Sequence, residues 1–259
     1  MRHMLLLCLP FSLALVEAEK TVGAASWQDA YSKQQYAGAG GQVLPYRLLE
    51  PEKIAPGRKY PLVLFLHGAG ERGSDNALQL VHGAKTFATP ENRRKYPCFV
   101  VCPQCPLKRR WVEVDWGLPS HTMPAEPSVP LKLVFGLLDK LTAELPVDKQ
   151  RIYVTGLSMG GFGTWDAISR RPQYFAAAVP VCGGGDTAQA PKLVGLSLWA
   201  FHGDKDPVVR PSRTRDMIEA IRKAGGMPRM TLYPGVQHDS WNRAYADPAM
   251  LEWLFARKK

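Results

Sequence analysis

The sequence predicts a doubly wound, mostly parallel α/β sheet with helices on both faces, a short N-terminal hairpin and one lid-like loop. Three observations predict it. Short runs, apolar on both faces, recur between turn residues; helix-period stretches lie between these runs; and no linker, repeat or low-complexity tract divides the 259 residues. Strand and helix therefore alternate within one unit, the order that gives a buried parallel sheet.

Residues 1–18 read apart from the rest. Met1, Arg2 and His3 make a positive start, Met4 to Val16 is a nearly unbroken apolar run, and Ala18 with Val16 two positions earlier offers a small-residue cleavage site. This is the pattern of a signal peptide, since a bilayer span takes about 20 apolar residues and Pro10 interrupts a buried helix. The expectation is a leader over 1–18 and a single domain over 19–259, secreted or periplasmic, with no stable membrane insertion once the leader is removed.

After the leader, Tyr31 to Tyr36 and Gln42 to Leu49 read as the strands of a hairpin, parted by Gly38, Gly40 and Gly41. The buried strands are Leu62 to Leu66, Phe99 to Val101, Ile152 to Thr155, Ala176 to Val181, Leu198 to Phe201 and Met230 to Tyr233. Helices are expected over Leu131 to Leu145, Gly161 to Arg171, Pro211 to Ala224 and Ala249 to Ala256. Leu107 to Pro130 breaks the rhythm. It holds Trp111, Trp116, His121 and scattered prolines without periodicity, and reads as a loop or small lid over the site. In such sheets, ligand groups gather in the loops at the carboxyl ends of the strands.

The formal net charge is +10. Its short clusters, Arg93-Arg94-Lys95, Lys108-Arg109-Arg110 and Arg257-Lys258-Lys259, are scattered, which suits solvated surface rather than a nucleic-acid groove. Of five cysteines, Cys8 lies in the leader. Cys98, Cys102, Cys105 and Cys182 remain, as buried thiols or with one local disulfide; Cys102 and Cys105 follow a strand-like run, not the helix N-terminus that a redox pair needs. No second pair or nearby histidine completes a zinc site, so no metal is expected.

The strongest local signal is Gly156-Leu157-Ser158-Met159-Gly160, between the strand Ile152 to Thr155 and the helix opening at Gly161. This is G-x-S-x-G on a sharp strand-to-helix turn, which strains the serine, exposes its hydroxyl and sets it at a helix N-terminus. A serine hydroxyl is a weak nucleophile, so it needs a base and a group to hold that base in one tautomer. The acid is sought in Phe201 to Val209, after a strand. Asp206 is favoured because it lies past the His202-Gly203 turn, with Asp204 as the alternative. His238 is the sole histidine after the acid and has no rival as base in the order serine, acid, histidine. The oxyanion needs two fixed N–H donors. These are expected at Met159 and, in the turn His67-Gly68-Ala69-Gly70, at Ala69. His67 and His202 read as packing residues in their turns.

These motifs carry a resemblance. Tyr60 to Asn76, Arg151 to Trp165, Phe201 to Val209 and His238 to Trp241 resemble the exported bacterial α/β-hydrolases labelled phospholipase/carboxylesterase or "predicted peptidase". That group is similar in turn to feruloyl esterases, acetyl xylan esterases and polyhydroxybutyrate depolymerases. The resemblance implies the α/β-hydrolase fold, cofactor-free hydrolysis of a carboxylic ester, and the nucleophile, acid and base roles for Ser158, Asp206 and His238. A serine peptidase of the prolyl-oligopeptidase kind, an acyltransferase to a sugar or lipid acceptor and a non-catalytic binding protein are the competing expectations. Where the sequence departs from the group, in Leu107 to Pro130, the acyl pocket is expected. Trp111, Trp116 and Trp241 there and in the histidine loop make either an aromatic wall for substrate or a small core under a lid.

Overall fold

The computed structural model describes residues 26–259, and the leader read at 1–18 lies outside the described residues. Eight strands form one sheet: β1 (Tyr31–Ala37), β2 (Val43–Leu49), β3 (Tyr60–Leu66), β4 (Phe99–Pro103), β5 (Val147–Leu157), β6 (Ala177–Val181), β7 (Ser197–Gly203) and β8 (Arg229–Tyr233). Their spatial order is β1-β2-β4-β3-β5-β6-β7-β8. The expected hairpin β1–β2 is antiparallel, β2 pairs antiparallel with β4, and the pairings from β4 to β8 are parallel.

Helices cover both faces. Along β3, Leu62, Leu64 and Leu66 point into one core and Val63 and Phe65 into the other, the period-2 alternation of a strand. The first core is closed by α3 (Val129–Glu144), α4 (Met159–Arg170) and α5 (Ser212–Lys223), and the second by α1 (Lys85–Ala88), α6 (Trp241–Ala246) and α7 (Pro248–Phe255). Each fully buried Leu, Val or Phe contributes about 1.5–3 kcal/mol of burial. This is why β3, β4 and β6, buried along their whole length, read as unbroken apolar runs. The edge strand β1 instead exposes Ser32, Lys33, Gln34 and Gln35, polar residues that blunt an unpaired edge.

Three short helices escaped the periodicity: α1, α6 and α2 (Pro90–Lys95). The signals for α2 were local ones. Thr89 accepts the Asn92 N–H, Pro90 stands at the first turn, and Arg93, Arg94 and Lys95 sit at the end where the helix dipole favours cations. One of the basic clusters is thus explained by a helix end. Helix α4 starts at Met159 rather than Gly161, because Ser158 is itself the residue at its N-cap.

The segment expected as a lid has no helix or strand between Leu107 and Ser128, yet it is fastened down. Arg170 donates to the carbonyls of Pro124, Ala125 and Glu126, Arg213 to that of Leu118, and Asp186 accepts the Met123 N–H. Ser128 caps α3 by accepting the Leu131 N–H and donates to the Trp111 carbonyl. It is a strap tied to the body along its length. The four cysteines 98, 102, 105 and 182 are buried free thiols. Cys102 and Cys105 lie in the cores on opposite faces of the sheet, so these two do not pair with each other.

Candidate active site

Ser158 follows β5 at φ 53°, ψ −116°, a left-handed conformation that is rare for a residue with a Cβ and costs about 1–3 kcal/mol. What over-determines it is the absence of side chains around it. A Cβ on Gly160 would lie inside the van der Waals shell of the Leu66 carbonyl oxygen, and one on Gly156 would meet the same oxygen at 2.7 Å. The elbow and the end of β3 are therefore in backbone-to-backbone contact. Ser158 N–H donates to the Val181 carbonyl at 3.0 Å, tying the turn to β6 as well.

Ser158, Asp206 and His238 come together from three loops at the carboxyl edge of the sheet. His238 Nε2 is 2.9 Å from Ser158 Oγ, and its Nδ1 is 2.8 Å from Asp206 Oδ2. With Nδ1–H donating to the carboxylate, Nε2 is free to accept the serine proton. Asp206 Oδ1 accepts the N–H groups of Val208 and Val209, each at 2.9 Å. Burial raises the Asp206 carboxyl, but hydrogen bonds from His202, His238 and Val209 outweigh it and hold the group well below the usual carboxylate range. Asp204, the alternative acid, is turned away: its Oδ1 accepts the Gly235 N–H at 2.7 Å. It binds the acid loop to the histidine loop, and Gly203 permits that approach because a Cβ there would strike the Val236 and Gln237 carbonyls.

The expected oxyanion donors also occupy helical starts. Met159 is the first residue of α4, and Ala69 opens a turn of 3₁₀ helix over Ala69–Glu71. Neither amide has an acceptor among the described residues. Behind that turn, His67 is a buried node. Its Nε2 accepts the Cys105 N–H at 2.9 Å, its Nδ1 donates to the Gly68 carbonyl at 2.6 Å, and its own carbonyl accepts the Trp111 indole N–H at 3.0 Å. Burial lowers the imidazole to about 4, so it is neutral and one tautomer fits.

Trp111 is corrected by this arrangement. It is fully buried, edge-on to His67 at 5.2 Å between ring centroids, and packed where Gly163 has no Cβ to obstruct it. It wedges the turn after β3 against α4 and offers no face to a ligand. The three tryptophans do not build one wall. Trp116 lies half-buried on the strap, under the Arg110 guanidinium and against Phe162. Trp241 stands edge-on to His238 at 5.2 Å on the side of the second core. A groove of about 950 Å³ lies elsewhere: it runs between Tyr36, Gln42, Leu133 and Arg170 and includes none of Ser158, Asp206 and His238.

Two residues near the site were passed over in the sequence. Glu71, whose carboxyl is raised by burial, ends the turn Ala69–Glu71 with its Oε1 3.8 Å from His82. Cys182, just past β6, is fully buried at φ 40°, and its sulfur lies within 4.8 Å of ligand atoms of Asp206 and His238. Those two partners stand 2.8 Å apart in their own hydrogen bond, closer than two ligands of one tetrahedral ion at about 2 Å bond lengths. The three-glycine run Gly183 to Gly185 after Cys182 was the available signal that this turn is crowded.

Residues 132–249 match the family described as Dienelactone hydrolase family. A solved structure of a thermostable esterase is similar with a TM-score of 0.84 and 40% identity, covering 90% of this chain and 64% of that one. Poly(3-hydroxyalkanoate) depolymerase C of Paucimonas lemoignei is 42% identical over 251 residues, 83% of this chain and 57% of that protein. The bifunctional acetylxylan esterase/xylanase of Neocallimastix patriciarum is 27% identical over 196 residues, 74% of this chain and 25% of that protein. The chain thus spans less than two thirds of each of these relatives. The sheet order and the serine elbow are those of the α/β-hydrolase fold, and residues 132–249 carry the match to the dienelactone hydrolase family.

Proposed function

We propose that this protein is a serine carboxylic ester hydrolase that works through an acyl-enzyme, without a cofactor, on small acyl or phenolic esters outside the cytoplasm. The observation that carries the reading is the placement of His238, which reaches Ser158 Oγ at 2.9 Å and Asp206 at 2.8 Å from its two ring nitrogens. Ser158 is the nucleophile, His238 the base and Asp206 the group that fixes the tautomer and offsets the imidazolium charge. His238 takes the serine proton as Oγ attacks the ester carbonyl, while the Ala69 and Met159 amides receive the oxyanion. His238 then gives that proton to the leaving alcohol, and activates the water that releases the acid.

Ester substrates are favoured by the esterase and depolymerase names of the relatives, and export by the basic, apolar pattern of residues 1–18. In this reading Trp116, on the strap, and Trp241, beside His238, are the tryptophans assigned to the substrate. The test is Ser158→Ala against p-nitrophenyl acetate and butyrate. The folded variant is expected to lose turnover and labelling by an organophosphonate probe; turnover at the wild-type rate sinks the reading. An ester panel of acetyl, butyryl, long-chain and feruloyl substrates then reads the acyl preference.

A further inference from the structure

Asp206 carries a second imidazole that the reaction above does not use. His202, at the end of β7, is fully buried. Its Nε2 lies 2.9 Å from the Val209 carbonyl oxygen and 3.2 Å from Asp206 Oδ2. Both are acceptors, so Nε2 carries a proton and donates to them. On the far side of the ring, Nδ1 is 2.7 Å from Thr214 Oγ1, and that hydroxyl is 2.9 Å from the Gly183 carbonyl. The ring is thus held from both ends, by α5 and by the acid loop.

The oxygen matters. Oδ2 receives both His202 Nε2–H and His238 Nδ1–H, while Oδ1 is occupied by two backbone N–H groups. A carboxylate oxygen shared between two donors is a weaker acceptor for each than it is for one alone. We propose that His202 is a positioning residue which, through this shared oxygen, sets how strongly Asp206 holds the imidazolium of His238, and so sets the acid limb of the pH–rate profile. The proposal rests on the esterase reading above. The other titratable groups facing the pair are the Cys182 thiol past β6, Asp239 next to His238 in its loop, and His82 behind the Trp241 ring. None of these donates to Oδ2 among the described residues.

The sign follows. Without His202 the carboxylate holds the His238 imidazolium harder, the proton stays to higher pH, and the neutral base needed for attack appears later. The test is kcat/KM for p-nitrophenyl acetate against pH, in which the acid limb reports the free enzyme, for three variants. His202→Leu removes the donor, and its acid limb is expected to move up by about 0.5–1 pH unit. His202→Gln restores an N–H and is expected to return most of that shift. Thr214→Val leaves the imidazole but frees its far end, and is expected to shift the limb in the same direction by less. An unmoved limb in folded His202→Leu overturns the proposal even if kcat falls, as does a His202→Gln limb displaced as far as that of the Leu variant. Should His202→Leu not fold, an unmoved limb in Thr214→Val overturns it. Ser158→Ala in the same series separates the two claims: its full activity would remove the esterase reading, whereas an unmoved limb removes only the role of His202.

Discussion

Acid should strip about 3 kcal/mol from the fold through one buried imidazole, His67. Its Nε2 accepts the Cys105 N–H and its Nδ1–H donates to the Gly68 carbonyl, so a second proton would set N–H against N–H in a site without water contact. Burial lowers the group from 6.5 to about 4. The unfolded chain takes up this proton as pH falls through 6.5, and the folded protein does not until about 4. The stability linked to His67 is therefore full above pH 6.5 and is lost on acidification across that window. A gap of about 2.5 pH units, at about 1.36 kcal/mol per unit, is worth about 3 kcal/mol. His67→Gln keeps an acceptor for Cys105 but cannot titrate, and loses the bond to Gly68 at a cost of about 1–2 kcal/mol at pH 7. Urea unfolding of both proteins at intervals from pH 7 to 4 gives the difference in stability, from which the other titrating groups cancel. Toward pH 4 the wild-type advantage should fall by about 3 kcal/mol and change sign, so that the Gln variant becomes the more stable by about 1–2 kcal/mol. A difference that stays level with pH would refute the assignment of the proton and the cause given for it.

Other expectations rest on separate features. Gly160→Ala puts a methyl group against the Leu66 carbonyl oxygen, backbone that has nowhere to move, and should cost about 3 kcal/mol or more; a wild-type melting temperature would show that the elbow is looser than drawn. Arg213→Met removes the donor to the Leu118 carbonyl and its partner His121. Limited chymotrypsin digestion should then cut faster within residues 107–128, and equal rates in variant and wild type would place the strap's stability elsewhere. Burial pushes the Cys98 and Cys105 thiols up to about 12 and those of Cys102 and Cys182 higher still. Protein spanning residues 19–259, which lacks Cys8, should therefore leave Ellman's reagent nearly uncoloured at pH 8 while native, with the thiols reacting once denaturant is added. A fast-reacting thiol in the native state would contradict the burial.

The strands and the site were legible to different depths. Runs such as Leu62 to Leu66 announce themselves because both faces of the strand are covered, and the elbow does so because only glycines survive beside it. The triad order then left His238 without competition. The sequence favours Asp206 over Asp204 only by its place past the His202-Gly203 turn, since both carboxylates follow the same strand; which of them meets an imidazole depends on the reach of two loops. His67 and His202 read as packing residues in their turns, and the buried network of His67 fits that reading. Its partners Cys105 and Trp111 lie about 40 positions away, beyond any local pattern. Trp111 was misplaced for the same reason. An aromatic residue in an aperiodic segment gives no sign of which way it faces, and here the missing Cβ of Gly163 decides it.

The strap is held in an indiscriminate way. Arg170, Arg213 and Asp186 grip it chiefly by its peptide groups, at the carbonyls of residues 118, 124, 125 and 126 and the amide of 123. Such clamps recognise the path of the chain and not the identity of its residues. Between residues 117 and 127, His121 apart, the clamps take no side chain of the strap, whereas the buried Trp111 and Val112 and the capping Ser128 anchor its two ends. A scaffold of this kind fixes the route of one ribbon without fixing its composition, and offers the protein engineer a cassette whose sockets are already in place.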